Sequence, residues 1–290
     1  MQFDFFNDSH QVVLRNAVID ALVQADAQQA TVALQALVAQ YPDDFSVNPM
    51  QTLINALQTR STQAFASHAE LAVARTILQG DRRLAADRAM GAQNAAVWLQ
   101  ACWLELAQRA AALPYHAEHP QDHAAPLYLQ ARQWQAAQDA VDGIASWRKI
   151  PAPLSWMLQA RLPLQGLTAC WGLLAELAWL APQRLHEVLE QIHEPQLHLL
   201  LRTFSQVFEG QGNAEDLAWL PAWLLIERPA LASELTSAQP GQHTASEQAM
   251  RTMLHLLGYE RQGQHNKVVQ CRKTLRDLNS ELFALYLQAR

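Results

Sequence analysis

The chain has 290 residues, half of them hydrophobic and 17% charged, with a formal net charge of −6 and an isoelectric point near 6.0. That length admits one elongated domain or two small ones. The acidic balance argues against a nucleic-acid binder, which ordinarily carries a basic domain or stripe. Three cysteines (Cys102, Cys170, Cys271) lie far apart with no CxxC pair, so neither a disulfide framework nor a cysteine-only zinc site fits within one chain.

Alanine, leucine and glutamine dominate while glycine is scarce, at 10 residues, and this composition favours helix throughout. The N-terminal MQFDFFNDSH carries acids where a secretory signal carries bases. The most apolar run, residues 167–181, contains Glu176 and spans about 15 residues where a membrane crossing needs about 20. A cytoplasmic protein that makes no use of a membrane is the expectation.

Taken in order, Asn7-Asp8-Ser9 reads as an N-cap for a helix over 10–25, and Asp26 starts a second over 27–40. Tyr41-Pro42-Asp43-Asp44 stops it, because proline cannot extend the helical ladder. Pro49-Met50 opens a third helix, Ser61-Thr62 caps a fourth to residue 78, and Gly80-Asp81 interrupts the pattern. Residues 82–113 read as helical with a break at Gly91 and Asn94. Residues 114–126, PYHAEHPQDHAAP, form the clearest loop and the candidate boundary between an N-terminal part, 1–115, and a tryptophan-rich C-terminal part, 124–290.

Beyond the loop, helices are predicted over 127–133, 134–147, 154–162 and 164–180, with Pro163 at the turn. Others follow over 183–193, 196–208 and 214–226, then a Ser-, Gln-, Pro- and Gly-rich loop over 233–246. Helices over 247–258 and 267–288 close the chain. The fold class is all-α: about a dozen helices in hairpins, stacked as a right-handed solenoid or an irregular bundle, in one domain over 1–290.

A spacing recurs. Ala30, Leu34, Leu37 and Pro42 are matched by Cys170, Leu174, Leu177 and Pro182, and in part by Cys102, Leu106 and Pro114. This rhythm resembles the second helix of a tetratricopeptide repeat, whose 34-residue helix–turn–helix unit is an interaction module. The resemblance covers residues 12–42 and 154–182, with a degenerate third unit at Leu257-Gly258 and Gly263. It lacks the Trp, Leu-Gly and Tyr of the repeat's first helix in the first unit, and Arg109 replaces an apolar residue in the partial copy. What it implies is a stack of helix pairs offering a concave surface to a protein partner.

Candidate chemistry is sparse. His116, His119 and His123 crowd the 114–126 loop with Glu118 and Asp122, the ligand types of zinc, iron and manganese, but Pro120 interrupts the stretch. Glu190 and His193 form an ExxH near His186 without the second ExxH that a carboxylate-bridged di-iron bundle uses. No GxSxG, SxxK or phosphate-cradling glycine loop is present, Gly210-Gln211-Gly212-Asn213 being too short and lacking a strand. Seven of nine tryptophans fall between residues 134 and 223; most should fill the core, while Trp171, Trp179, Trp219 and Trp223 are candidates to line a partner groove. Arg272 and Lys273, with Lys267 and Arg276, could meet an acidic partner or a phosphate backbone, although Asp277 and Glu281 interleave with them.

The sequence therefore points to a non-enzymatic adaptor or assembly chaperone that holds a protein or peptide, with no cofactor and its oligomeric state open. A helical metalloenzyme using one of the His/Glu clusters is the alternative from another class, and a nucleic-acid-associated regulator a third.

Overall fold

The structure, a computed structural model, describes the backbone of residues 5–290 and the side chains from His10 onward. The Phe3–Phe6 side chains, expected to pack on the first hairpin or reach a partner, lie outside the described residues. The described chain is helical, without strands, and divides into two compact units, residues 1–133 and 134–290.

The first unit opens with a hairpin of α1 (Phe5–Val23) and α2 (Ala27–Gln40). Asp26 caps α2 by accepting from the Gln29 N–H at 2.8 Å, and Tyr41 ends it just before Pro42. Asn7, Asp8 and Ser9 sit inside α1 instead of capping it. Ala30, Leu34 and Leu37 are the buried stripe of α2, so the repeat-like spacing marks a core-facing side. Between α2 and α3 (Val47–Gln58), the fully buried Asp44 carboxylate accepts from the Ser46 amide and hydroxyl, from Arg15 at 2.6 Å and from Gln11. Burial works to raise the Asp44 carboxyl, but these donors outweigh it and hold it down at about 2.

The fourth helix starts later than expected. Residues 61–66 are not helical, because the Phe65 N–H donates to the Arg109 carbonyl and the Arg109 guanidinium covers the buried Phe65 ring at 4.0 Å. The cap is Ser67, opening α4 (His68–Ile77). Gly80-Asp81 does not interrupt the helix; a π-helical turn over Leu78–Arg82 carries the chain into α5 (Arg83–Ala110). The expected break at Gly91 is present: φ of 71° and ψ of 164° kink α5, a backbone state that glycine enters without steric cost. After the loop, α6 (Ala124–Gln130) packs back on α5, joined by the Gln100 side-chain amide to the Ala131 carbonyl at 3.0 Å.

The second unit begins with α7 (Trp134–Asp142) and α8 (Pro151–Gln165). Pro163 lies within α8 and not at a turn; the helix continues to Gly166, whose φ of 76° stops it. A 3-10 turn over Leu167–Cys170 leads to α9 (Trp171–Leu180), buried on nearly every side. Cys170, Leu174 and Leu177 are buried there as Ala30, Leu34 and Leu37 are in α2. Helices α10 (Pro182–Gln191), α11 (Pro195–Val207), α12 (Leu220–Glu227), α13 (Ala232–Leu235), α14 (Ala245–Arg261), α15 (His265–Leu278) and α16 (Ser280–Gln288) complete the unit. The last two were expected as one helix; Asn279 turns extended and caps α16 through its side chain on the Leu282 N–H.

The centre of this unit is ionic as well as apolar. Glu176 of α9, nine-tenths buried, accepts from Arg148 at 2.7 Å and from the Gln239 amide at 2.8 Å. Burial pushes the Glu176 carboxyl up, against the pull of the Gln239 N–H and of Arg148, Arg161 and Arg251. Glu247, also buried, accepts from the Gly241 and His243 amides, each at 2.9 Å, and pairs with Arg251. Two carboxylates thus fasten the 236–244 loop from both ends, and Gly172 on α9 lets it approach: a Cβ there would stand 2.4 Å from the Ser237 hydroxyl.

Candidate functional site

A hollow of about 960 Å³ lies in the second unit between α10, α11 and the turn that follows α11. Its lining includes Leu189, Leu201, Phe204, Phe208 and Leu217, with His186, Glu190, Arg202 and Asp216 among its polar groups. Phe204 anchors α11, stacking on Phe208 at 4.9 Å and meeting Trp223 edge-on at 5.4 Å. The Gly210-Gln211-Gly212-Asn213 turn closes one end, and its amides are spoken for: Gln211, Gly212 and Asn213 all donate to the Asp216 carboxylate, at 2.8, 2.7 and 3.3 Å. A carboxylate occupies the position an anion would take in a glycine loop.

A second hollow of about 540 Å³ flanks the other side of the 3-10 turn Ala214–Trp219, edged by Trp179, Trp219, Gln183 and Thr244. Of the four tryptophans singled out, Trp171 and Trp223 belong to the core, Trp179 is nearly buried with Arg251 over its ring at 5.6 Å, and Trp219 is half-exposed. Arg272, partly exposed, packs along Tyr286: it donates to the Tyr286 hydroxyl at 3.0 Å and pairs with Glu260, to which Tyr286 also donates. Lys273 is exposed on the same helix. The basic cluster is therefore partly structural.

In the first unit a cleft of about 420 Å³ is lined by Trp98, Cys102, Leu106 and the Arg60–Glu105 ion pair, closed at 3.0 Å. The three cysteines are poor nucleophiles here. Burial raises the Cys102 and Cys170 thiols to about 11 and pushes Cys271 up as well.

The His-rich loop also lies in the first unit, and the structure sorts its members. His123 is buried and caps α6, its Nδ1 accepting from the Ala125 N–H at 3.2 Å, and burial, with the charge of His68 adding, lowers it to about 4. Asp122 is buried against Arg75 at 2.9 Å. His116 and His119 remain exposed with Glu118, their potential ligand atoms all within 4.8 Å of one another. The other His/Glu cluster does not assemble as an ExxH: α10 ends at Gln191, so His193 leaves the helix while His186 and Glu190 pair at 3.5 Å.

What sequence reasoning missed is α11 as the wall of a groove. The signal was the apolar row Leu201, Phe204 and Phe208, which runs beside the core-facing Leu197 and Leu200 of the same helix. Glu118 already stands beside His116 and His119 in the sequence cluster, and the structure keeps these three together.

No protein-family model, curated protein or solved structure matches the chain significantly. The likeness to tetratricopeptide repeats thus rests on residue spacing alone, within a fold that is all-helical and rich in helix pairs. No helix among the described residues is long and apolar enough to cross a membrane.

Proposed function

We propose that this protein is an interaction scaffold, and that the groove between α10 and α11 receives the apolar face of an amphipathic helix from a protein partner. The observation that carries this reading is the groove itself. It is open, has an apolar floor of leucine and phenylalanine between two helices, and has polar groups of both signs. That combination suits helix-in-groove recognition, in which residues at i, i+3 or i+4 and i+7 fill the floor while flanking polar residues meet the rim. Mixed charge at the rim favours a zwitterionic helix over a polyanion, which argues against nucleic acid at this face.

The engagement of the reactive groups supports a scaffold over a catalyst. Glu176, Glu247, Asp44, Asp122 and His123 all serve as structural acceptors or ion-pair partners, and the cysteine thiols are raised away from the thiolate. The half-exposed Trp219 at the neighbouring hollow supplies an aromatic surface from which a longer partner segment would gain contact.

The test is a photo-crosslinking residue in place of Arg202 in the full chain, with the same residue in place of Lys273 as control. A single partner crosslinked from position 202 and not from 273 is the expected result. A synthetic peptide of the crosslinked segment should bind the wild-type chain in helical form and bind Leu201→Glu at least ten-fold more weakly. Repeated recovery of the chain alone, or equal crosslinking from both positions, would overturn the reading.

A further inference from the structure

We infer that His116, Glu118 and His119 form a binding site for one divalent transition-metal ion of the zinc class. Two imidazoles and one carboxylate are the donor set of open, three-ligand zinc sites, whose remaining positions are filled by water or an incoming ligand. Their ligand atoms already lie within 4.8 Å of one another. Around a tetrahedral ion with bonds of 2.0–2.1 Å, donors stand roughly 3.3 Å apart. Closing from 4.8 Å asks only for side-chain rotation, which exposed residues can make without disturbing the backbone.

The backbone beneath them is set by two successive turns, the His119 N–H donating to the His116 carbonyl at 3.1 Å and the Asp122 N–H to the His119 carbonyl at 3.0 Å. These turns put residues 116 and 119 on one side, with the two rings stacked at 5.6 Å and 26°. Both ends of the loop are tied to the helices: His68 Nε2 bonds the Pro114 carbonyl at 2.9 Å, and the buried Asp122 holds Arg75. Since a carbonyl can only accept, His68 must donate from Nε2, and a neutral His68 keeps its lone pair on Nδ1. Its ring stands 5.9 Å from that of His116. Arg75, the cation held on Asp122, is thereby engaged near the loop, and Glu118 enters no ion pair among the described residues.

The site is built differently from the histidine trio that spacing suggests. His123 faces inward as a helix cap, and Glu118 completes the set in its place. A carboxylate in the third position favours zinc and its neighbours over a soft-metal, thiolate-type ion.

The experiment uses the untagged full chain, stripped with a chelator and desalted, titrated with Zn²⁺ by calorimetry and with Co²⁺ by visible absorption. One equivalent of Zn²⁺ and the visible bands of low-coordinate Co²⁺ are expected. His119→Ala and Glu118→Gln should each weaken binding by ten-fold or more, while His265→Ala, at the exposed first position of α15, leaves it unchanged. Circular dichroism verifies that each variant keeps its helix content, as substitutions at exposed loop positions should. Zn²⁺ binding that is undiminished in both loop variants, or no binding by the wild-type chain near stoichiometric concentrations, would overturn the assignment.

Discussion

Glu176 and Arg148 meet at 2.7 Å inside the second unit, and the same carboxylate oxygen accepts the Gln239 amide from the other side. One buried oxygen therefore joins the segment before α8, the centre of α9 and the loop before α14. Removing it strands a cation and an amide together.

Glu176→Ala should cost about 2–3 kcal/mol, below the range for a fully buried pair because Arg148 keeps about a quarter of its side chain in contact with solvent. Glu176→Gln retains an acceptor and should lose less. Urea unfolding followed by tryptophan emission is the measurement, since seven of the nine tryptophans lie in this unit. Equal, sub-kilocalorie losses for the two variants would contradict the role assigned to the carboxylate.

His123 gives the first unit a pH dependence. Its folded-state value, lowered to about 4 from the ordinary 6.5, means that between those values the unfolded chain binds more protons than the folded one. Stability from this residue is fully present above pH 6.5 and is lost as pH falls toward 4, by an amount on the order of 2–3 kcal/mol. His123→Asn, which keeps a capping side chain, should flatten that limb of the stability–pH curve. Trp98 and Trp103 report on this unit, and an unchanged limb in the variant would reject the assignment.

Gly172→Ala should destabilise the second unit by about 1–3 kcal/mol, because the added methyl would meet the Ser237 hydroxyl at 2.4 Å and the Ala238 amide at 3.2 Å. Ser237→Ala in the same chain removes the closer of these contacts and should restore part of the loss. Thermal unfolding of the single and double variants reads the coupling, and strict additivity would count against a clash at this point.

The all-helical class, the first hairpin and the Gly91 break were legible because local chemistry decides them: Asp26 caps, Pro42 stops and Gly91 takes a positive φ. The start of α4 was misplaced because Ser61 and Ser67 both look like caps. Only Ser67 has a glutamate, Glu70, three residues on, and that spacing was the better signal. Pro163 reads as a turn, yet the true stop is Gly166. The partners of Glu176 could not be seen, lying 28 and 63 residues away along the chain. In the loop, the i, i+3 pair of His116 and His119 was visible, whereas the inward turn of His123 follows from how α6 packs, which no spacing encodes.

The stretch 236–244 has the composition of a tether, rich in Ser, Gln, Pro and Gly. Glu176 holds its Gln239 end and Glu247 its Gly241 and His243 amides, so it works as a clasp whose length is fixed by two buried carboxyl groups. Shortening it by even one residue would unseat an amide from one carboxylate or the other. Engineered insertions should accordingly be tolerated better at the exposed Gln262–Gly263 turn, whose amides meet only backbone carbonyls, than in this segment, although its composition suggests the reverse.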